Sequence, residues 1–335
     1  MGQAAASRPI RAAAQEEESR KDRSPAAILI HGPTASGKTR LAIELARRFD
    51  GDVVNADAMQ VYADLRILTA RPDDREEAEA EHYLFGHVDA VERYSVGRWM
   101  KEAADRIERI RSAGRTPVIV GGTGLYLQAL VDGLSDVPPI PDAVRREARR
   151  IVAEDRAAAW ARLVEGDPLC VNRIDERDRQ RMARALEVLL ATGRPISSYH
   201  GAAAPVLKSG EWLGVALTPP REDTYRVIDQ RVSRMIGEGA LDEARALWMR
   251  RLDPELPVMR AHGMPGFCAF FAGGASLDEA IDRCRRDTRR YAKRQMTWIT
   301  HQFTRWPRIP SQSTDTRVKV ISALLGEIDA VSLKR

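Results

Sequence analysis

Cysteine is scarce in this sequence of 335 residues, and no long hydrophobic run occurs in it. The three cysteines, Cys170, Cys268 and Cys284, are odd in number and far apart, so they form neither a disulfide framework nor a CxxC zinc site. We therefore expect a reducing, cytoplasmic environment. Because no apolar run approaches the roughly 20 residues of a membrane span, we expect no membrane partner.

The composition that is present is typical of a globular, mildly basic chain. Hydrophobic residues make up 44%, charged residues make up 30%, and the net charge is +5. This charge is compatible with a polyanionic partner but does not require one. Residues 1–24 are rich in Ala, Arg, Glu and Ser and lack apolar periodicity, so we expect a disordered extension there. The acidic run at 16–18 argues against a transit peptide, and no apolar core of a secretory signal is present.

Residues 32 to 39 form a complete G-x-x-x-x-G-K-[ST] phosphate loop, Gly32-Pro33-Thr34-Ala35-Ser36-Gly37-Lys38-Thr39. The loop follows an apolar run at 26–30 and precedes a helical pattern at 38–48, which is the order in which this motif binds phosphate. Backbone N–H groups of such a loop converge on phosphate oxygens. Lys38 adds positive charge, and the Thr39 hydroxyl can bind a phosphate-bound Mg²⁺. An incidental glycine turn is the alternative, but every position of the motif is filled, so we predict a phosphorylated ligand and Mg²⁺.

Beyond the loop, strand and helix patterns alternate as in an α/β domain. Buried strands are expected at 52–56, 117–120 and 212–217, and a helix at 96–113. Residues 136–205 show no convincing strand and are rich in Ala, Arg and Glu. We predict a parallel sheet flanked by helices, as in P-loop NTPases, with an all-helical insertion. The predicted boundaries are 25–135 and 206–310 for the core domain, 136–205 for the insertion and 311–335 for a C-terminal tail.

The segment Asn55 to Tyr62 follows the second predicted strand and contains Asp57. In a doubly wound sheet, the carboxyl ends of neighbouring strands face the crevice that also holds the phosphate loop. Asp57 is therefore expected beside the bound phosphates or their reaction partner. Three roles fit an aspartate at this point: a helix N-cap, a carboxylate that assists Mg²⁺, or a base acting on a nucleophile.

A basic helix is predicted near the end of the core domain. Ser276 and Glu279 form a capping box, so we expect the helix to begin there and to run to about Phe303. Arg286, Arg289, Arg290 and Lys293 share one face at i, i+3 and i+4 spacing. A solvated charged face is the alternative, but few acids are interleaved, and aligned arginines suit the phosphates of a nucleic-acid backbone.

Six motifs follow one another in a fixed order. They are GPTASGKT at 32–39, DAMQVY at 57–62, TARP at 69–72, VGGTGLY at 120–126, RALEV at 184–188 and RRYAKRQMTW at 289–298. This order closely resembles that of the bacterial tRNA dimethylallyltransferases, or tRNA isopentenyltransferases, of the IPP transferase family. The resemblance runs from about Ala27 to Phe303. Many unrelated proteins contain a phosphate loop, whereas its combination with the fourth and sixth motifs is specific.

The resemblance implies a reaction and a donor. Enzymes of this family transfer the dimethylallyl group from dimethylallyl diphosphate to N6 of adenosine 37, beside the anticodon, in tRNAs that read codons beginning with U. The products are N6-isopentenyladenosine and diphosphate. By this resemblance the phosphate loop holds the diphosphate of the donor, and Mg²⁺ is bound partly by Thr39. Lys38, Mg²⁺ and Arg231 neutralise the charge that develops on the leaving group.

The resemblance also implies the roles of three residues at the reaction centre. Asp57 orients the adenine amine and accepts its proton, because an exocyclic amine conjugated with adenine is a poor nucleophile. Thr34 and Thr123 lie beside the reacting atoms, and Thr123 contacts the target nucleotide. Val227 replaces an arginine that the family often has one helical turn before Arg231, so Arg226 or Arg221 could serve as the diphosphate clamp instead.

Contacts to the tRNA anticodon stem-loop are implied in three places. The target base must leave its stack, at a cost of a few kcal/mol, and contacts to the RNA must offset that cost. The implied contacts are Asp57, Ala58, Met59, Gln60 and Thr123 near the reaction centre, Arg145, Gln180, Arg181, Met182, Ala183 and Arg184 in the insertion, and Thr288, Arg289, Arg290, Tyr291, Ala292, Lys293, Arg294 and Gln295 in the basic helix. Ala58 stands where the family usually has serine.

Three other functions remain open from the sequence. An ATP-dependent small-molecule kinase would also use the phosphate loop, Thr39 and Asp57, but it leaves the basic helix unexplained. An RNA-binding protein that has lost its chemistry would not need intact Lys38, Thr39 and Asp57. An enzyme that prenylates free adenine nucleotides would not need the insertion. We expect a monomer, because one crevice per chain suffices.

Overall fold

The computed structural model describes residues 27–199 and 204–332, and the side chains within these ranges up to residue 326. The extension predicted at 1–24 lies outside the described residues. The chain divides into two compact units. The first unit contains the residues up to Val131 and from Val206 onward, and the second is Asp132–Pro205. The sequence placed the start of the insertion at residue 136, four residues later.

The first unit is built on a parallel β-sheet. Its strands are β1 (Ala27–His31), β2 (Gly51–Asn55), β3 (His82–Tyr83), β4 (Thr116–Gly121), β5 (Trp212–Leu217) and β6 (Arg308–Ile309). Among the described residues these form one six-stranded sheet of order β3-β2-β4-β1-β5-β6, in which every neighbouring pair is parallel. The predicted α/β fold is confirmed, and the two-residue strands β3 and β6 are additions at its edges.

The helices flank this sheet or form the second unit. In chain order they are α1 (Lys38–Arg48), α2 (Asp74–Glu79), α3 (Val96–Ser112), α4 (Gly124–Asp132), α5 (Asp142–Glu154), α6 (Arg156–Gly166), α7 (Pro168–Val171), α8 (Arg179–Thr192), α9 (Arg221–Gly237), α10 (Ala240–Met249), α11 (Met264–Phe271), α12 (Leu277–His301) and α13 (Thr314–Ser332). Within the described residues, no helix has both the length and the apolar character needed to span a bilayer.

The sheet order brings three loops to the same edge. β1 lies between β4 and β5, and β2 pairs with the other side of β4. The chain leaves β1 into the phosphate loop, β2 into Asn55–Asp57, and β4 into the run Gly121–Gly124. Because parallel strands end at the same edge of a sheet, these three loops are neighbours. A Cβ atom at Gly121 would lie 2.0 Å from the Ala56 carbonyl oxygen, so only glycine allows this approach.

Apolar side chains fill both faces of the sheet. On one face, Trp99 of α3 stacks on Tyr126 of α4 with ring centroids 4.4 Å apart. The Trp99 indole N–H also donates to the Asn55 carbonyl oxygen at 2.7 Å, which fixes the end of β2. On the other face, α1 packs with α13, and Ile321 is fully buried there.

The C-terminal segment differs from the sequence expectation. Residues 311–335 were expected to form a tail, but Thr314–Ser332 form helix α13, which packs against α1 and β5. Val318, Leu324 and Leu325 supply its apolar face around the buried Ile321. Burial of this face stabilises the helix against the core. The segment is therefore part of the first unit, and the prediction of a separate tail was wrong.

All regular secondary structure among the described residues of the second unit is helical. Its core contains Ala148 and Val152 of α5, Leu163 of α6, and Leu186 of α8. The buried Glu187 accepts a hydrogen bond from Arg184 at 2.6 Å, and its other carboxylate oxygen lies 3.8 Å from Arg145 Nε. This carboxylate therefore connects α5 with α8.

Candidate active site

The phosphate loop has the geometry of an anion site. Gly37 has a φ of 77°, which favours glycine, and no side chain in the described part of the chain caps the helix that follows it. The first N–H groups of α1 are therefore free for an anion. Lys38 Nζ donates to the Pro33 carbonyl oxygen at 2.8 Å. Burial lowers the pKa of Lys38 to about 8, and the nearby Asp57 carboxylate opposes this shift.

Asp57 is held by a turn rather than by a helix. Residues 58–60 form a turn, so the N-cap role is excluded. Asp57 Oδ1 accepts from the Met59 N–H at 3.0 Å, and the Asp57 N–H donates to Asn55 Oδ1 at 2.8 Å. Among the described residues, the hydrogen bond to the Asp57 carboxylate is accepted by Oδ1, and none is donated to Oδ2. One carboxylate oxygen is thus fixed and the other is free to meet a ligand.

The loop after β4 supports this arrangement from the side. Thr123 Oγ1 accepts from the Ala58 N–H at 2.9 Å, and the Thr123 N–H donates to the Ala56 carbonyl oxygen at 3.1 Å. A Cβ atom at Gly122 would lie 3.2 Å from Asp57 Oδ2 and 2.0 Å from Gln295 Nε2. The Asp57 turn and the Thr123 loop therefore form one connected structure.

Gln295 connects the phosphate loop to the Thr123 loop. Its Oε1 accepts from the Thr34 N–H at 2.8 Å, and its Nε2 donates to the Gly122 carbonyl oxygen at 2.9 Å. The side chain is 3% exposed. The sequence grouped Gln295 with tRNA contacts, but its side chain faces the protein interior. No sequence pattern could indicate this bridge, because its partners are backbone atoms 261 and 173 residues away.

Arg231 reaches the phosphate loop from α9. Its Nη1 donates to Thr34 Oγ1 at 3.0 Å, and burial lowers the pKa of its guanidinium. Two residues earlier, Asp229 accepts both Nε–H and Nη2–H of Arg289 in α12. This bidentate pair anchors α9 at the point where Arg231 enters the site. Arg226, which is exposed and pairs with Asp223, does not line the pocket described next.

One pocket gathers most of these residues. It is lined by Thr34, Asp57, Met59, Leu68, Thr69, Arg231, Val232, Met235, Ala261, His262, Cys284, Thr288 and Tyr291. Three of the four expected catalytic residues, Thr34, Asp57 and Arg231, thus line the same space, and Thr123 lies behind Asp57. His262, which the sequence left outside the catalytic set, packs 4.7 Å from the Tyr291 ring, and burial lowers its pKa.

The basic helix α12 begins with the predicted capping box of Ser276 and Glu279. Its exposed basic residues lie on one side, namely Arg283, Arg286, Arg290, Lys293 and Arg294. Among the described residues, no carboxylate lies within 4.0 Å of the Arg286, Lys293 or Arg294 side chains. Helical spacing placed Arg289 on the exposed basic face, and this is corrected because Arg289 pairs with Asp229 of α9.

Other residues expected to contact tRNA are turned inward. Thr288 and Ala292 of α12 are buried at 4% and 1% exposure. In the second unit, Met182 and Ala183 are buried in the helical core, while Gln180, Arg181 and Arg184 are exposed. Ala292, Met182 and Ala183 are therefore packing residues rather than the expected side-chain contacts to RNA, whereas Thr288 is buried but lines the pocket described above.

The residues of the loop fit a magnesium ion that is bound through phosphate oxygens. Within the described chain no three His, Cys, Asp or Glu residues cluster as a metal site. Mg²⁺ bound through phosphate oxygens needs only one or two protein ligands and prefers hard oxygen donors. The Thr39 hydroxyl is such a donor, and the Ser36 hydroxyl nearby is buried without a hydrogen-bond partner. This donor set suits Mg²⁺ rather than a softer metal.

Comparison with known proteins identifies the family. The IPP transferase model matches residues 60–302, and the isopentenyl transferase model matches residues 25–86. The chain belongs to the IPP transferase family. In this member of the family, the phosphate loop, the Asp57 turn and the Thr123 loop all lie in the first unit.

Several members of the IPP transferase family are close in sequence or structure. The chain is 53% identical to the tRNA dimethylallyltransferase of Hyphomonas neptunium over 305 residues, which covers 90% of this chain and 96% of that one. It is 54% identical over 284 residues to that of Methylobacterium radiotolerans, with coverage of 84% and 91%. Among solved structures, the tRNA isopentenylpyrophosphate transferase of Bacillus halodurans has a TM-score of 0.66 at 30% identity, covering 92% and 99%. A eukaryotic dimethylallyltransferase acting on tRNA has a TM-score of 0.70 at 31% identity, covering 82% and 70%.

Proposed function

We propose that this chain is a tRNA dimethylallyltransferase. It transfers the dimethylallyl group of dimethylallyl diphosphate to N6 of adenosine 37 in tRNAs that read codons beginning with U. The products are N6-isopentenyladenosine and diphosphate. The observation that carries the proposal is that Thr34 of the phosphate loop, Asp57 and Arg231 line one and the same pocket. Relatives more than half identical in sequence bear this name.

The donor site is the phosphate loop. Its diphosphate lies at the N-terminus of α1, where free backbone N–H groups and Lys38 bind its oxygens. Arg231, fixed through Thr34, adds a second positive charge from the side of the pocket. When bound with the diphosphate at Thr39, Mg²⁺ supplies further neutralisation of the leaving group. These charges are most valuable as the carbon–oxygen bond breaks, since negative charge then develops on the diphosphate.

The acceptor site is the free oxygen of Asp57. The adenine N6 amine donates to Asp57 Oδ2 while its nitrogen forms the new bond to the allylic carbon. The displaced diphosphate takes the electron pair of the broken bond, and Asp57 accepts the proton of the amine. The turn that fixes Asp57 Oδ1 orients this base before the substrate arrives, so little reorganisation is needed during the reaction.

The RNA partner is held by the basic face of α12 and by the second unit. Arg286, Lys293 and Arg294 supply charge for the phosphates of the anticodon stem-loop without first breaking an ion pair. Gln180, Arg181 and Arg184 present a second exposed polar surface. We further propose that the enzyme acts as a monomer in the cytoplasm, where tRNA and the soluble prenyl donor meet.

Product identification tests the proposal. Purified protein is incubated with unmodified tRNA, Mg²⁺ and dimethylallyl diphosphate, and the nucleosides are analysed by mass spectrometry. Parallel reactions contain ATP alone or AMP in place of tRNA. We expect one prenyl unit on adenosine 37 and no phosphorylated product. Prenylated AMP without prenylated tRNA, or ATP turnover with a phosphorylated product, would contradict the proposal.

A further inference from the structure

Arg317 of α13 is buried behind the phosphate loop. Its side chain is 1% exposed, although it lies in a segment beyond the part of the chain that the family model matches. Arg317 Nη1 donates to the Ser36 carbonyl oxygen at 2.7 Å, and its Nε donates to the Ser311 carbonyl oxygen at 2.6 Å. The guanidinium thus joins the C-terminal segment to the centre of the loop that binds phosphate.

This arginine has no acidic partner in the described structure. No carboxylate of the described residues lies within 4.0 Å of its guanidinium, and burial lowers its pKa. A buried charge without a counter-ion is costly, and the cost falls when an anion binds nearby. A Cβ atom at Gly37 would lie 3.2 Å from Arg317 Nη1, so the guanidinium sits directly against the turn that leads into Lys38.

We propose that Arg317 is a positioning residue of the diphosphate site. Through Ser36 it holds the loop so that the N–H groups after Gly37 face the diphosphate. Its uncompensated positive charge is neutralised when that anion binds. This inference rests on the proposed function for the identity of the donor, but the anion binding itself does not depend on prenyl transfer. The last helix of the chain then belongs to the donor site rather than to a tail.

Binding of inorganic pyrophosphate tests the inference on the full chain. Titration calorimetry with Mg²⁺ measures the Kd for wild type, Arg317→Met, Arg317→Lys and the control Ile321→Ala. Ile321 is buried one helical turn further along α13 and contacts the apolar core, so its truncation weakens helix docking without removing the bond to Ser36. Steady-state kinetics give the KM for dimethylallyl diphosphate and for tRNA.

We expect Arg317→Met to weaken pyrophosphate binding about 10- to 100-fold, as for loss of a charge-assisted hydrogen bond. The KM for dimethylallyl diphosphate rises in parallel, while the KM for tRNA stays within about twofold. Arg317→Lys recovers part of the affinity, because lysine keeps the charge but cannot span Ser36 and Ser311 in the same way. Ile321→Ala binds pyrophosphate like wild type.

Two results would overturn the inference. One is a pyrophosphate Kd for Arg317→Met that equals that of wild type. The other is an equal loss of affinity in Ile321→Ala, which would reduce Arg317 to a structural residue of α13. If Arg317→Met does not fold, Arg317→Lys decides alone. A Kd at least about threefold weaker then supports the inference, and an unchanged Kd overturns it. Arg317-dependent pyrophosphate binding without prenyl transfer would contradict the proposed function alone.

Discussion

Replacing Gln295 with leucine removes the bridge between the phosphate loop and the Thr123 loop. The substitution keeps the approximate volume but leaves the Thr34 N–H without a partner, and the Gly122 carbonyl oxygen keeps only the bond that the Tyr291 hydroxyl donates at 3.3 Å. The unsatisfied Thr34 N–H costs about 1–3 kcal/mol and the lost bond to Gly122 costs about 0.5–1.5 kcal/mol, whereas the more apolar side chain recovers about 1–2 kcal/mol. We therefore expect a loss of about 1–2 kcal/mol in the free energy of unfolding. We also expect a fall of about 100-fold in kcat/KM, because a shift of 1 Å between reacting groups has that effect.

Urea unfolding and prenyl-transfer kinetics measure the two effects of Gln295→Leu separately. Ile299→Ala is the matched control, since Ile299 is buried one turn further along α12 and makes no bond to either loop. This control is expected to lose at least as much stability, about 2–5 kcal/mol, through a cavity. At urea concentrations too low to unfold it, its kcat/KM is expected to stay within about threefold of wild type. Equal activity losses in both variants would refute the bridge. So would a Gln295→Leu protein whose kcat/KM matches that of wild type.

Three further outcomes are expected. His31 is buried with neither ring nitrogen bonded among the described residues, and burial lowers its pKa from 6.5 to about 3. As the pH falls below 6.5, the proton therefore binds His31 in the unfolded chain before it binds the folded one, and the wild type loses stability. Between pH 8 and pH 5, His31→Leu should lose about 2 kcal/mol less free energy of unfolding than wild type. An equal loss in both proteins, measured by urea unfolding, would contradict this. Gly122→Ala would place a Cβ 2.0 Å from Gln295 Nε2, so its kcat/KM should fall at least about tenfold. The control Gly237→Ala, whose Cβ meets open space, should keep the kcat/KM of wild type and a stability within about 0.5 kcal/mol of it. Equal behaviour of the two variants would refute the close-approach argument. Arg286→Glu should raise the KM for tRNA but not for the donor, with an effect that shrinks as salt rises; an unchanged tRNA KM at low salt would show that this face does not meet RNA.

The sequence predicted the centre of the fold more accurately than its edges. The helix at 38–48 and the strand at 212–217 were predicted to the residue, because each is a continuous pattern whose burial is decided locally. The edge strands His82–Tyr83 and Arg308–Ile309 have only two residues each, too short for a periodic signal. Helix α13 was missed because the buried Arg317 interrupts its apolar face.

For the candidate site, the sequence predicted which loop residues lie near the phosphate loop, but it did not predict the hydrogen bonds and ion pairs that hold the site together. Asp57 and Thr123 follow strand ends, so sheet topology alone places them near the phosphate loop. The Gln295 bridge and the Asp229–Arg289 pair join residues far apart in the chain. Such partners depend on how helices pack on the sheet, which periodicity does not report. Helical spacing assigned Arg289 to the exposed face for the same reason.

The proposed mechanism depends on the free carboxylate oxygen of Asp57 as the base for the adenine amine. Single-turnover prenyl transfer by Asp57→Asn tests this most directly, with pyrophosphate binding measured on the same protein. Asparagine keeps the oxygen that accepts from the Met59 N–H but cannot take up the proton. We expect transfer to slow by about 10²- to 10⁴-fold, with pyrophosphate affinity within about threefold of wild type. Transfer at the wild-type rate would contradict the account, because the proton would then leave by another route.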